Sequence, residues 1–559
     1  MQKLIHLFTL LFWANLAIGQ APSNAGQRPA VGISGSLSVG GYFYEANGTV
    51  NRQAPYGYSI NAHSTVNLKG LQIPFSVIFN EQGRRFEQPF NRFGLSPAWK
   101  WGKLHLGYRN LSFSPFILAG QTMYMAGLEL TPGKLRFAAL RGRMNDAVGP
   151  DDPNFRSARF KRNALVLKLG GGTEKTHFDF IFMKGKDDLS SLSHVPDSIQ
   201  NATPAEENSL FGIQWRQPMF KGKLVYKLDA AASTFTENIR FDPIDFSESF
   251  PTAHRMRFII RPNGSTHVSY AGETSLRWQS RGFGLSAVYR RVMPEYRAMG
   301  VNYLLTDLEA ITLNPSFTLA RGKVVLGGSL GLQRNNLDDH RFENTGRTIG
   351  SVDLNVNPAP AFGFFAQYAN YTVRQQVFKD EFTNDSLLIN QINHNVTFSP
   401  RFTVFKPNST HTMLLTLNYQ VLDDQNKTTE QFADNDLVNA FLNYIINEPA
   451  TGWNIRAGTN YFRFKSDLFL NTRMGGSLGA TKRFGKSGFS LSGTAAFSLT
   501  GQETLGEHKA GTNLTFNGRA EYAFSKKSSL SFQLFYLKNE LAGSTFSEVR
   551  GQARYNYRF

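Results

Sequence analysis

The feature that most constrains this chain is a period of two in its hydrophobic residues, sustained segment after segment. From Ser547 to Phe559 it runs without a break. Val549, Gly551, Ala553, Tyr555, Tyr557 and Phe559 fall on one face, and Glu548, Arg550, Gln552, Arg554, Asn556 and Arg558 on the other. Successive side chains of a strand point to opposite sides, so this pattern separates an apolar or small face from a charged one. Residues 56–69 repeat it, with Tyr58, Ile60, Ala62, Val66 and Leu68 against Ser59, Asn61, His63, Thr65, Asn67 and Lys69. After Gly70, the run Leu71, Ile73, Phe75, Val77 and Phe79 resumes the apolar face, and residues 266–278 and 412–421 alternate in the same way. Helical spacing fits none of these segments as well. One apolar face recurs around the chain with no second apolar layer to cover it, which argues against soluble stacked sheets or a solenoid.

The connections alternate too. One set is short and basic: Gly102-Lys103, Pro132-Gly133-Lys134, Lys221-Gly222-Lys223, Arg281-Gly282, Arg321-Gly322-Lys323, Lys406-Pro407-Asn408, Gly485-Lys486 and Ser525-Lys526-Lys527. Glycine there supplies the positive φ of a tight turn. The other set is longer and polar, near 46–55, 81–92, 145–158, 186–208, 236–263, 294–308, 335–346, 374–391, 423–435 and 502–510. Together they predict an all-β fold: a closed antiparallel transmembrane β-barrel of about 26 strands, with 24 as the alternative even count, short periplasmic turns and long extracellular loops. The alternation is weakest over 93–144, where Pro97, Trp99 and Trp101 interrupt it.

Met1–Gly19 carries Lys3, an apolar run from Leu4 to Ile18, and the small-x-small sequence Ala17-Ile18-Gly19, the pattern of a secretory signal peptide cleaved near Gly19. Residues 20–31 are expected to be a short periplasmic tail and 32–559 a single barrel domain. The terminal strand resembles the C-terminal signal strand of Gram-negative outer-membrane β-barrels, through the aromatics Tyr555, Tyr557 and Phe559. That resemblance implies the outer membrane as location and recognition by the barrel-assembly machinery. The chain has no cysteine, which removes disulfides, thiolate chemistry and a lipoprotein anchor.

Motifs for chemistry are sparse. Gly327-Gly328-Ser329-Leu330-Gly331 and Gly475-Gly476-Ser477-Leu478-Gly479 match the nucleophile-elbow pattern, but that motif needs a strand-to-helix turn and both lie inside alternating strands. The histidines are scattered; His63, His105, His177 and His267 fall on polar faces and read as hydrogen-bonding residues of the lumen. Acidic pairs such as Asp151-Asp152, Asp187-Asp188, Asp338-Asp339, Asp423-Asp424 and Asp434-Asn435-Asp436 read as solvated loop tips. No enzyme activity, cofactor or metal is expected.

The formal charge is +18, from 60 basic and 42 acidic residues. Export and barrel patterning set nucleic-acid binding aside. Arg109, Arg216, Arg277, Arg290, Arg401, Arg456, Arg473, Arg519, Arg550 and Arg554 fall on the polar, inward parity, against fewer acids (Asp229, Glu273, Asp353, Glu521 and Glu548). They read equally as paired residues stiffening the wall and as a lumen that attracts anions. A wall of about 26 strands encloses a lumen too wide to leave open. In-folded loops such as 186–208 and 236–263, or a surface or periplasmic partner protein, are expected to fill it. The leading expectation is an outer-membrane conduit for a bulky or anionic solute, polymer or polypeptide. The alternatives are a non-transporting anchor for a surface protein or fibre, and a passive porin.

Overall fold

A computed structural model describes residues 31–68, 71–80, 94–150, 157–192, 195–245, 259–377, 388–504 and 506–559. The leader 1–19, nearly all of the tail 20–31, loop 81–92, Asp151-Asp152 and parts of several other long loops lie outside the described residues.

Strands consecutive in sequence pair antiparallel, and the first, Val31–Asn47, pairs with the last, Ser544–Arg558, from Ser36↔Arg558 to Asn47↔Ser547. At the end of this seam Gly35 and Phe559 exchange backbone hydrogen bonds of 3.0 and 3.1 Å. The sheet therefore has no edge, and each ladder finds its partners within the barrel. Gly94–Leu95 and Ala98–Trp99 are two pieces of one strand between Leu71–Asn80 and Gly102–Asn110, so 27 segments make a barrel of 26 strands. Pro97 has no N–H to give to the ladder, which accounts for the break at Ser96-Pro97. Its carbonyl still accepts a 2.8 Å bond from the Leu104 amide.

At the short-turn end the hairpins close as the glycines require. Phe220-Lys221-Gly222 and Ala320-Arg321-Gly322 each place three successive residues at positive φ, with Gly222 at 84° and Gly322 at 90°. The opposite end differs from expectation in two places. Residues 502–510 are not a loop, because Phe489–Thr504 and Glu507–Ala523 stay in register to Thr504↔Glu507. Conversely, 111–121, between Gly102–Asn110 and Thr122–Leu130, is a long connection that the blurred alternation conceals.

The register carries one parity around the barrel. The face of Arg554 continues through Gly40 and Ser59, while that of Tyr555 continues through Val39 and Ile60. Val39, Leu167, Phe180, Val268, Leu330, Val352, Phe398, Leu417, Leu478, Leu499 and Phe532 share the second face and are exposed. An uncovered apolar exterior on a closed sheet is what lipid hydrocarbon requires. Ser329 and Ser477 sit on the first, lumen-side face in mid-strand with no helix following, so neither forms an elbow.

The lumen-side face is not uniform. In the strands between Thr122 and Val292 it carries a sealed apolar patch: Met123, Ile181, Met183, Val166, Leu210 and Val292 are fully buried. Both faces of these strands are apolar, as in Met123-Tyr124-Met125-Ala126, because lipid lies outside and protein inside. From Glu343 onward the same face is mostly polar and partly exposed.

Candidate lumen plug and pore lining

What seals the apolar sector is chain folded into the barrel. Phe116, Ile117 and Leu118, at the tip of loop 111–121, are fully buried against the wall together with Tyr296 of loop 293–307. Polar bonds hold the two loops together. The Ala119 amide donates to the Gly300 carbonyl at 2.9 Å, the Tyr296 hydroxyl donates to the Phe116 carbonyl at 2.7 Å, and Asn302 donates to the Gly120 carbonyl. Others tie them to the wall. Ser114 Oγ donates to Asp229 at 2.6 Å, Gln214 Nε2 reaches both Asp229 and the Phe113 carbonyl at 2.6 Å, and Ser233 Oγ donates to the Arg297 carbonyl. Gly212 and Gly300 lack the Cβ that would strike Ile117 and Met183. These bonds hold the apolar tip in place, since leaving the Phe116 carbonyl unpaired there would cost about 1–3 kcal/mol.

Among the described residues, the loops packed against the lumen-side wall are 111–121 and 293–307. The described parts of 186–208 and 236–263 pack at the long-loop rim, where Leu192, Val195 and Ala205 join Phe160 and Ile239 in a separate apolar cluster. Arg240 caps the short helix Asp197–Ala202 there by donating to the carbonyls of Gln200 and Thr203. The Ile259 carbonyl accepts from Lys184 and Ser209, which lie on the exterior parity, so Ile259 itself sits away from the lumen-side face.

Several charges on the wall of the plugged sector are gathered in closed sets. Asp179, wholly buried, takes a bidentate bond from Arg136 and a 2.9 Å bond from Lys168. Arg162 binds Asp187 and Glu206, and Lys184 and Lys186 share Glu207. Ser96 Oγ lies 3.0 Å from His105 Nδ1, and His105 Nε2 lies 2.6 Å from Glu129. The order serine, histidine, acid is that of a hydrolytic relay. Here Ser96 and His105 are buried and stitch the broken strand to its neighbours.

All ten arginines fall on the lumen-side parity of the register. Arg216, Arg277, Arg401, Arg456, Arg519 and Arg554 each stand three or four residues from the short-turn end of their strands, spaced around the circumference. Among the described residues, two of the ten meet a carboxylate: Arg519 with Glu521 at 2.9 Å and Arg290 with Glu273 at 3.8 Å. Arg473 binds Ser498 and Arg456 binds Asn454, both at 2.9 Å; Arg401 approaches Asn357 at 3.4 Å and Arg277 approaches Gln279 at 3.5 Å. Arg550 lies over the Tyr42 ring. Arg109 Nε and Nη2 and Arg216 Nε are buried with no hydrogen-bond partner among the described residues. Arg109 borders a cavity of about 330 Å³ with Ser34, Ser36, His63 and Thr65. Wall-stiffening ion pairs therefore account for few of them. His177 instead meets the Thr173 carbonyl at the short-turn end, and His267 meets Glu295 at 3.3 Å.

Of the acidic pairs, Asp187 and Asp188 are engaged by Arg162 and Lys161, and Asp338 by His340. No cluster able to hold a metal ion occurs among the described residues. Tyr555 and Tyr557 pair with Val39 and Leu37 across the closing seam, and the Tyr557 and Phe559 rings lie 5.9 Å apart.

No family model matches this chain, and neither does any curated protein. Among solved structures, OccAB2 of Acinetobacter baumannii aligns with a TM-score of 0.30 and 12% identity, over 71% of this chain and 98% of its own. OccK8 (OprE) of Pseudomonas aeruginosa gives a TM-score of 0.32 and 9% identity over 71% and 98%. The COG4313 outer membrane channel of Pseudomonas putida F1 gives 0.23 and 12% over 39% and 85%. The architecture described above stands on this chain's own strand pairing.

Proposed function

We propose that this barrel is an outer-membrane conduit for anionic solutes, its passage running along the arginine-bearing sector beside a plug made by its own loops 111–121 and 293–307. The observation that carries the reading is the burial of Phe116, Ile117 and Leu118 against one sector of the wall, while Arg401, Arg456, Arg473, Arg550 and Arg554 of the other sector meet no carboxylate among the described residues. Barrels of about 16–18 strands already hold a water-filled channel, so a 26-strand wall needs such a filling to stay selective. Like charges around a passage with low-dielectric walls reinforce one another and concentrate counter-ions. The arginines near the short-turn end form the periplasmic mouth in this reading.

Purified barrel in planar bilayers under a salt gradient tests it. The reading expects a reversal potential on the anion side, moved toward cations by Arg456→Glu with Arg554→Glu. Absence of any conductance from correctly folded barrel would defeat it in favour of a non-transporting anchor. Tyr555, Tyr557 and Phe559 are proposed as the signal to the assembly machinery. Phe559→Ala should then lower the yield of folded barrel in cells far more than refolding in vitro, and equal losses in both would assign Phe559 to packing alone.

A further inference from the structure

We infer that the exterior wall carries a binding site for a phosphorylated glycolipid of the outer leaflet, built on the strands Phe283–Val292 to Phe362–Val377. The pairings Arg291↔Glu309, Glu309↔Arg334, Arg334↔Gly346 and Gly346↔Arg374 form one row across five strands. All five positions lie on the exterior parity, shared with Ile311, Leu332 and Val352. Three arginines in a row with one glutamate leave an excess of positive charge on a face that is otherwise apolar.

The height of the row identifies what it meets. From Leu319 at the short-turn end to Glu309, the exterior residues are Phe317, Pro315, Leu313 and Ile311, a rise of about 33 Å along the strand. At the tilt usual for membrane barrels this is about 25 Å, the height of the lipid-facing apolar band. The arginines thus sit where hydrocarbon gives way to headgroups, at the long-loop end. An isolated guanidinium is costly one row lower and well served by phosphate at this level.

The local shape fits a headgroup rather than a lone ion. Glu309 holds Arg291 and Arg334 and accepts a 2.7 Å bond from the Tyr289 hydroxyl, so two guanidinium groups are set in place with further donors to spare. The Arg374 side chain is exposed and makes no hydrogen bond or ion pair among the described residues. Gly346 between Arg334 and Arg374 leaves a gap: a Cβ there would have only the Arg374 carbonyl nearby, at 3.9 Å. The gap opens into a cavity of about 570 Å³ lined also by Asn344, Thr372 and Gln376, amide and hydroxyl groups suited to sugar hydroxyls, with Asp339 as its one carboxylate against Arg334, Arg347 and Arg374. Paired arginines flanking a gap bind phosphate oxygens, and the leucines below receive acyl chains.

The site rests on membrane placement of the barrel and not on conduction, so its readout is lipid retention. Full-length barrel in mild detergent is titrated with a synthetic acylated glucosamine disaccharide carrying two phosphates, and with its dephosphorylated form, followed by native mass spectrometry. The phosphorylated lipid should bind at least tenfold more tightly to the wild type than to Arg334→Ala/Arg374→Ala, and more tightly than the dephosphorylated lipid does. Millimolar inorganic phosphate should not displace it. Equal retention by the double variant, equal binding of the dephosphorylated lipid, or full displacement by inorganic phosphate would each overturn the assignment. Heat-modifiable gel mobility confirms folding, and the single exposed change Arg374→Gln, with a smaller expected loss, serves if the double variant does not fold.

Discussion

The sector from Thr122 to Val292 and the sector from Glu343 to Arg558 obey the same strand chemistry on the outside and opposite chemistry inside. In the first, Met183 and Ile181 face the lumen and are sealed by Phe116, Ile117 and Leu118. In the second, the lumen-side positions of Phe489–Thr504 and Glu507–Ala523 include Ser492, Thr494, Asn517 and Arg519, of which the last three are exposed. Their long-end connections differ in part: every one in the first has more than ten residues, whereas the second keeps connections of ten and twelve residues after Asp424 and Val377 and then closes its last three hairpins with two-residue gaps, as between Thr504 and Glu507. A barrel wall takes its exterior from lipid, whereas its interior is set locally by whatever chain folds back onto it.

The largest expected difference between the sectors is the cost of a buried charge. Met183→Asp places a carboxylate with no partner in the plug core and should destabilise the barrel by about 3–5 kcal/mol. Thr494→Asp, on the open lumen wall, should change stability by no more than about 0.5 kcal/mol. Urea unfolding from vesicles compares them, and similar losses would mean that the two sectors are equally sealed.

Next is Tyr296→Phe, which removes the 2.7 Å bond to the Phe116 carbonyl while keeping the ring. Leaving that carbonyl unsatisfied should cost about 1–3 kcal/mol. The variant should also raise current noise in single channels, because the two loops lose a tie. A quiet channel of unchanged stability would place the tie outside the constriction.

Arg519→Glu should leave stability within about 1 kcal/mol, since its pair with Glu521 is exposed. It should reduce anion preference, and the reduction should shrink at 1 M salt, where the screening length is about 3 Å. Unchanged ion preference at low salt would show that the open wall does not line the passage.

The smallest effect belongs to loop 335–342, outside the wall. The Asp338 carboxylate, hydrogen-bonded 3.0 Å away, raises the His340 imidazole above its ordinary value, and His340 holds Asp338 below its own. The pair should order the loop between the depressed value of Asp338 and the raised value of His340, and release it as pH climbs through the latter. Limited proteolysis should be slower at pH 6 than at pH 8.5, a difference that His340→Gln abolishes. Equal cleavage at both pH values would mean the pair orders nothing.

How much of this the sequence discloses follows from the same contrast. Where one face meets lipid and the other water, as in Ser547–Phe559, period two is clean and the strand is legible. Where both faces are apolar, as in Met123-Tyr124-Met125-Ala126, the period disappears, and the neighbouring loop 111–121 goes unseen with it. The loss of alternation within a barrel is itself the signal of a covered interior, one that could have located the plug. Loop length alone misleads: 186–208 and 236–263 are longer, yet their described parts cap the rim. Polar residues in Gly501–Ala510 imitate a loop because the strands continue past the lipid, where both faces meet water. The parity of the ten arginines is readable from alternation, but the absence of acids opposite most of them depends on cross-strand register. The exterior arginine row is likewise invisible until Arg291, Arg334 and Arg374, scattered in sequence, are brought level by pairing.

Single-channel conductance of barrel in which residues 113–120 are replaced by a short Gly-Ser connector tests the central claim most directly, with heat-modifiable gel mobility confirming the fold. If loop 111–121 is the constriction, opening this sector of a 26-strand lumen should raise conductance at least about threefold. Unchanged conductance from folded barrel would contradict the claim and move the barrier to another part of the molecule.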